Sequence, residues 1–253
     1  MNLVFFDIDG TLATGKHVPE SAAEGLRLLR ENGNLVFICT GRNPAYAEKN
    51  FGQYADGFIC CNGRLAVKGG EVLYSHPLSD EQIREIVKRM DAVGAGYAFL
   101  GTDEGYYGGD PAGYEVMSRV QDKGFVKNGL AEHMNVYTFD AYLGTPDRIS
   151  VIQEALDGFA IANPHGPHPS ADITVLGVDK GTALVHVAEV LGVPLENTYG
   201  FGDGRNDICM LKAVGHGIAM GNAIDETKAA AEYVTTDIND NGVWNGLKHY
   251  GLI

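Results

Sequence analysis

An α/β fold is predicted, with a parallel-sheet core and a second, α+β domain inserted into it. Three observations predict it. Short, wholly apolar runs alternate with stretches of helical period near the N-terminus. The same alternation returns after about residue 180. Between the two lies a region with hairpin and capping signals but no such alternation. Strand–helix alternation argues for parallel strands with helices on both faces, and segregated elements argue for an α+β unit.

The elements follow in order. Leu3 to Phe6 is apolar throughout, as in a strand buried on both faces. Pro19 to Asn32 carries Ala22, Leu26 and Leu29 on one helical face, and Gly33 stops it. Leu35 to Cys39 is a second buried strand. Asn43-Pro44 reads as an N-cap with proline at the first helical position. Gly57 to Cys60 is a third strand, leading into the turn pair Asn62-Gly63. Later, Gly181 to Leu191 is a helix with Leu184, Val187, Ala188 and Leu191 on one side, ended by Gly192 and Pro194. Thr198 to Gly202 and His216 to Met220 are strands; Ile208 to Val214 and Ile224 to Glu232 are helices.

In the middle, Ser79 and Gln82 have capping-box spacing, ahead of a helix with the apolar stripe Ile83, Ile86, Val87 and Met90. Tyr97 to Leu100 and Gly105 to Tyr107 form a hairpin around Thr102-Asp103-Glu104. A helix is expected over Ala112 to Gln121, a strand over Val136 to Tyr142 and a helix over Asp147 to Leu156. Phe159 to Ala162 and Ile173 to Leu176 are short strands. The predicted domains are therefore a core of residues 1–78 and 178–253 and an inserted domain of residues 79–177.

The net charge of −14 disfavours nucleic acid and anionic membrane surfaces as partners. It also suits a phosphate-binding protein poorly unless a cation sits in the site. No apolar stretch is long enough to span a bilayer, and the N-terminus has no basic segment before its apolar run. Cys39, Cys60, Cys61 and Cys209 match neither a zinc site nor a disulfide framework, so reduced thiols and a cytoplasmic location are expected. The expected assembly is a monomer or homodimer.

Polar clusters mark the ends of the predicted core strands. They are Asp7-Ile8-Asp9-Gly10-Thr11, Thr40-Gly41-Arg42 and Asp203-Gly204-Arg205-Asn206-Asp207, with Lys180 at a helix start. Ligands of open parallel sheets bind outside the carboxyl ends of the strands, so one fold would gather all four. Two carboxylates about 4 Å apart repel by about 4 kcal/mol at an effective dielectric near 20. Lys180 alone does not offset Asp7, Asp9 and Asp203 once a phosphate arrives, and an all-oxygen ligand set favours magnesium. Asp7 and Asp9 point to one side of an extended strand end. One can attack phosphorus while the other serves as acid and base. Thr40 offers a hydroxyl and, with Gly41, backbone N–H groups to phosphoryl oxygens, and the helix from Pro44 aims its positive end there.

These four motifs resemble those of the haloacid-dehalogenase (HAD) superfamily: Asp7-Ile8-Asp9-Gly10-Thr11-Leu12, Thr40-Gly41-Arg42, Lys180-Gly181-Thr182-Ala183-Leu184 and Gly202-Asp203-Gly204-Arg205-Asn206-Asp207. Their order and spacing are similar to the Cof-type branch, with a class IIB cap between the second and third. The resemblance implies a Rossmann-like core and a cap that closes over the site, excludes bulk water and chooses the leaving group. It implies Asp7 as nucleophile and Asp9 as general acid/base. It implies magnesium held by Asp7, the main-chain carbonyl of Asp9, and Asp203, with Asp207 in or just outside that shell. Thr40 and Lys180 would bind the phosphoryl group, assisted by Asn206. Asp179, beside Lys180, is an extra acid that would adjust the lysine's charge balance.

The function this implies is a magnesium-dependent phosphatase of small phosphorylated molecules, a sugar phosphate first and a phosphorylated cofactor next. The rivals are a phosphomutase or other phosphotransferase, a receiver-like signalling domain and a catalytically silent phosphosugar-binding regulator. Arg42 and Arg205 are candidates for substrate contacts, with surface ion pairs an equal reading. The pair His165 and His168 is expected to be solvent-exposed rather than a metal site. Tyr97, Phe99, Tyr106, Tyr107 and Tyr114 are expected mostly to pack the inserted domain, and Cys39 to be a buried strand residue.

Overall fold

A computed structural model describes residues 1–120, 126–166 and 168–253. Gln121, the end of one expected helix, and Pro167 lie outside them. The chain divides into two compact units, Met1–Ser75 with Val178–Ile253, and His76–Gly177.

In chain order, the first unit begins β1 (Leu3–Phe6), α1 (Glu20–Glu31), β2 (Leu35–Cys39), α2 (Pro44–Phe51), β3 (Gly57–Cys60), β4 (Leu65–Lys68) and β5 (Glu71–Ser75). The second unit holds α3 (Asp80–Ala92), β6 (Gly96–Leu100), β7 (Gly105–Gly109), α4 (Pro111–Val120), β8 (Val126–Asn128), β9 (Thr138–Tyr142), α5 (Ile149–Ala155), β10 (Ala160–Pro164) and β11 (Ser170–Val175). The first unit resumes with α6 (Lys180–Val190), β12 (Thr198–Gly202), α7 (Ile208–Ala213), β13 (His216–Ala219), α8 (Asp225–Ala230), β14 (Tyr233–Val234) and α9 (Gly242–His249).

The core sheet runs β14-β13-β12-β1-β2-β3-β4-β5. The six strands from β14 to β3 are parallel, as the alternation predicts, and β4 and β5 add an antiparallel hairpin at the β3 edge. Every residue of β1 is fully buried, which explains its unbroken apolar run. Phe6 stacks on Phe201 of β12 at 4.8 Å, and Phe5 meets Phe37 of β2 at 5.7 Å. Each such ring contributes about 1.5–3 kcal/mol on burial. The stacking register therefore fixes the three strand ends that carry Asp7, Thr40 and Asp203. Helix α1 lies against α9 where Gly25 leaves room: a Cβ there would sit 3.0 Å from Leu247.

The second unit has its own sheet, β10-β11-β9-β6-β7-β8, antiparallel except for β7 and β8. The capping box of Ser79 and Gln82 opens α3. Ile83, Ile86 and Met90 bury with Tyr97, Phe99, Tyr106 and Phe139 on one face, and Tyr107 packs with Tyr114 and Met117 in a smaller cluster. The five aromatics of interest are thus packing residues. His168 is exposed as expected, but His165 is half-buried, with Nδ1 2.9 Å from Ser170 Oγ and Nε2 3.1 Å from Asp172. Among the described residues, no helix is long and apolar enough to cross a membrane.

Candidate active site

The sheet order places β1 between β12 and β2, so their C-terminal ends are neighbours. Asp7 follows β1, and its N–H donates to the Phe201 carbonyl at 3.0 Å. The chain then turns tightly: Leu12 and Ala13 N–H groups donate back to the Ile8 carbonyl at 3.1 and 2.8 Å. Gly10 makes that turn with φ +92°, and a Cβ there would lie 2.4 Å from Asp203 Oδ2. Only glycine permits both the conformation and the approach.

Oxygens of Asp7, Asp203 and Asp207 all lie within 4.8 Å of one another. Lys180 reaches them from the start of α6. Its Nζ donates to Asp7 Oδ1 and to Asp207 Oδ1, each at 2.6 Å, and its side chain is fully buried. Asp207 Oδ2 accepts the backbone N–H groups of Asp203 and Gly204 at 3.0 and 2.9 Å. Asp203 Oδ1 accepts the Thr11 hydroxyl at 2.8 Å. Thr11 stood in the first motif, but its partner becomes visible only when β1 and β12 meet.

The electrostatics follow from burial and crowding. Burial, then Asp207, push the Asp7 carboxyl well above the usual carboxylate range, and Lys180 opposes them. Burial raises Asp203 to about 6, with Asp207 adding to it and the Thr11 hydrogen bond opposing. Burial works against the Lys180 charge, but Asp207 and Asp7 outweigh it and hold the ammonium well above the ordinary lysine range.

The donor set, all oxygen, fits a hard divalent cation such as magnesium. Oxygens sharing one octahedral magnesium lie about 3–4 Å apart, and carboxylates are its usual ligands. Asp7 and Asp203 bring carboxylate oxygens within 4.8 Å of each other in a largely buried place, hard donors that such a cation would take.

Asp9 differs from Asp7. Its side chain is 45 % exposed against 9 %, and it pairs with Arg42 Nε at 3.1 Å. The Arg42 guanidinium lies over the Tyr46 ring, 5.1 Å from its centre. Thr40 is buried, and its Oγ accepts the Arg42 N–H at 3.1 Å. The Thr40 N–H donates to the Ile59 carbonyl at 2.8 Å, which corrects the expectation that it faces a phosphoryl group. The hydroxyl hydrogen and the Gly41 N–H remain as that loop's donors. Asn43 caps α2 as predicted, accepting the Tyr46 N–H at 2.9 Å.

Asn206 donates to Asn62 Oδ1 at 3.2 Å. Arg205 points to solvent and pairs with Glu226 at 2.8 Å, so its surface-pair reading stands. Asp179 accepts the Thr182 N–H at 2.8 Å in a capping box. It caps α6. Cys39 is buried, and desolvation pushes its thiol well up. Asn222, unremarked in the sequence, donates to the Gly10 carbonyl at 2.7 Å and accepts the Ile238 N–H at 2.9 Å, bracing the loop after β1.

A family model for haloacid dehalogenase-like hydrolases matches residues 4–247. A putative phosphatase, YkrA of Bacillus subtilis, is 30% identical over 99% of this chain and 98% of its own length. The pyridoxal phosphate phosphatase YbhA of Escherichia coli is 27% identical over 93% of each chain. Among solved structures, the HAD subclass IIB sugar phosphatase BT4131 is 29% identical, with a TM-score of 0.83 over 100% of both chains.

Proposed function

The chain belongs to the haloacid dehalogenase-like hydrolases and is a phosphatase of that family, and from this premise we propose that it hydrolyses small phosphate monoesters through a phosphoryl group carried on Asp7. The observation that carries this reading is the meeting of Asp7, Asp203 and Asp207 around a buried lysine. Asp7, the main-chain carbonyl of Asp9, and Asp203 would hold magnesium, which when bound supplies positive charge against the transferring oxygens.

Asp7 is buried and held by Lys180, which orients it for attack. Its carboxylate oxygen forms a bond to phosphorus as the bond from phosphorus to the leaving oxygen breaks. Asp9, more exposed, gives its proton to that leaving oxygen. Asp9 then takes a proton from water, whose oxygen attacks phosphorus. The Asp7–phosphorus bond breaks, inorganic phosphate leaves and both carboxyl groups return to their first state. Lys180, the Thr40 hydroxyl and the Gly41 N–H bind the phosphoryl oxygens, with Asn206 at their edge. Arg42 holds Asp9. Choice among leaving groups is assigned to the inserted domain, residues 79–177. A sugar phosphate leads, supported by the likeness to a sugar phosphatase, and a phosphorylated cofactor follows, supported by the likeness to a pyridoxal phosphate phosphatase.

The test is phosphate release across a panel of phosphorylated metabolites, with and without magnesium. Release from at least one ester, dependent on magnesium, is expected. Asp7→Asn should fold normally and lose on the order of a thousandfold or more in rate. Wild-type rates in Asp7→Asn would remove Asp7 from the chemistry. Isomerised sugar phosphate without free phosphate would turn the reading to a phosphomutase.

A further inference from the structure

The turn after β3 holds a residue that the four motifs do not include. Cys61, Asn62 and Gly63 have φ values of 54°, 52° and 100°. Asparagine and glycine adopt this left-handed region readily, but cysteine does not. Such a run persists where the surroundings over-determine it, and these cases cluster at functional sites.

The surroundings here are three phosphoryl-binding segments. Cys61 N–H donates to the Arg42 carbonyl at 3.0 Å, and Asn62 N–H to the Thr40 carbonyl at 3.1 Å. The Asn62 side chain accepts from Asn206 at 3.2 Å and lies so near Gly41 that a Cβ there would be 3.1 Å from its amide. A Cβ on Gly63 would be 2.1 Å from the Asp179 carbonyl and 2.9 Å from the Lys180 nitrogen. Asn62 itself is only 4 % exposed. A plain chain reversal from β3 to β4 needs none of these contacts.

We infer that Asn62 is a positioning residue: it locks the Thr40–Arg42 loop and the Asn206 side chain into one phosphoryl-binding frame seated on the start of α6. The inference rests on the proposed phosphatase site. The two loops it touches follow β2 and β12, strands that β1 separates in the sheet. Without the amide, each keeps its own backbone path but loses its spacing to the other.

The test uses the whole chain with magnesium present, and reads kcat/KM together with binding of inorganic phosphate. Asn62→Gly keeps the left-handed backbone and removes only the amide. It should lower kcat/KM by about 10- to 100-fold, as small misplacements of binding groups do. It should weaken phosphate binding by about fivefold or more, with little change in the unfolding midpoint. In an Asn206→Ala background, the same substitution should cost less than about twofold, because the two side chains act as one unit. Phosphate affinity and kcat/KM within about twofold of wild type, or full additivity with Asn206→Ala, would overturn the inference. Should Asn62→Gly fail to fold, Asn62→Asp keeps the turn and sets a negative charge against Gly41 and Asn206. Phosphate binding about tenfold weaker or more upholds the inference, and unchanged binding overturns it. A wild-type chain that turns over while the variants match it sinks this inference alone. One that neither turns over nor binds phosphate sinks the proposed function and this inference with it.

Discussion

Lys180 and Asp207 show how one residue pair divides the work of a site. Asp207 Oδ2 is engaged by two backbone N–H groups and Oδ1 by Lys180. Its carboxylate therefore shapes the loop after β12 and orients the lysine before it can serve any ion. Asp203 is held by one hydroxyl and keeps more of its acceptor capacity for a metal. Lys180 is the positive partner of two buried acids, so its loss leaves like charges facing each other without water. Removing one member of a buried pair costs about 3–5 kcal/mol. Lys180→Met, which keeps the apolar stem, should lower the unfolding free energy by about that amount in urea titrations without added metal. A loss under about 1 kcal/mol would mean that solvent reaches these carboxylates more freely than their burial indicates.

At the level of elements, the start of α6 separates capping from charge tuning. Asp179 accepts the Thr182 N–H while Thr182 Oγ accepts the Asp179 N–H. Asp179→Ala should therefore lower stability by about 1 kcal/mol, the usual loss for an N-cap, and leave the magnesium dependence of turnover unchanged. A shifted magnesium requirement would give this acid the expected electrostatic role beside its cap. Elements differ in how plainly they can be read. Strands β1, β2 and β3 have the bounds that their apolar runs predict, because runs buried on both faces leave little choice, and β12 has its expected bounds as well. The β4–β5 hairpin is hard to read from sequence: β5 lies at the sheet edge with Val72 57 % exposed, so no burial period marks it, and Gly69-Gly70 is its signal. Helix α9 is not marked in the sequence, since Gly242 and Gly246 disfavour a helix. A Cβ on Gly246 would lie 2.5 Å from the Phe201 ring, a demand set by packing and invisible in the local sequence. The candidate site divides in the same way. The acids and Lys180 sit in compact motifs, whereas Asn62 meets partners 22 residues before it and 144 after it, at Thr40 and Asn206, which no local pattern reveals.

Across the whole molecule, a net charge of −14 means that any added cation relieves some self-repulsion. Stabilisation by magnesium alone would therefore say little about a specific site. Diffuse screening depends on ionic strength, with a reach of about 8 Å at 0.15 M, and does not care which carboxylate is removed. Binding at one site follows mass action and approaches about 2.7 kcal/mol when magnesium is 100 times its dissociation constant. The two predict different behaviour in Asp203→Asn. That variant keeps an acceptor for the Thr11 hydroxyl and removes one of three crowded negative charges. Without divalent metal it should be at least as stable as the wild type, because like-charge repulsion falls. With saturating magnesium, at an ionic strength matched by sodium chloride, the wild type should gain a saturable increment in its unfolding midpoint that Asp203→Asn largely lacks. Equal increments in both proteins, or sodium matching magnesium, would mean that the acids after β1 and β12 hold no ion of their own. The charge that opposes phosphate would then have to come from Lys180 alone.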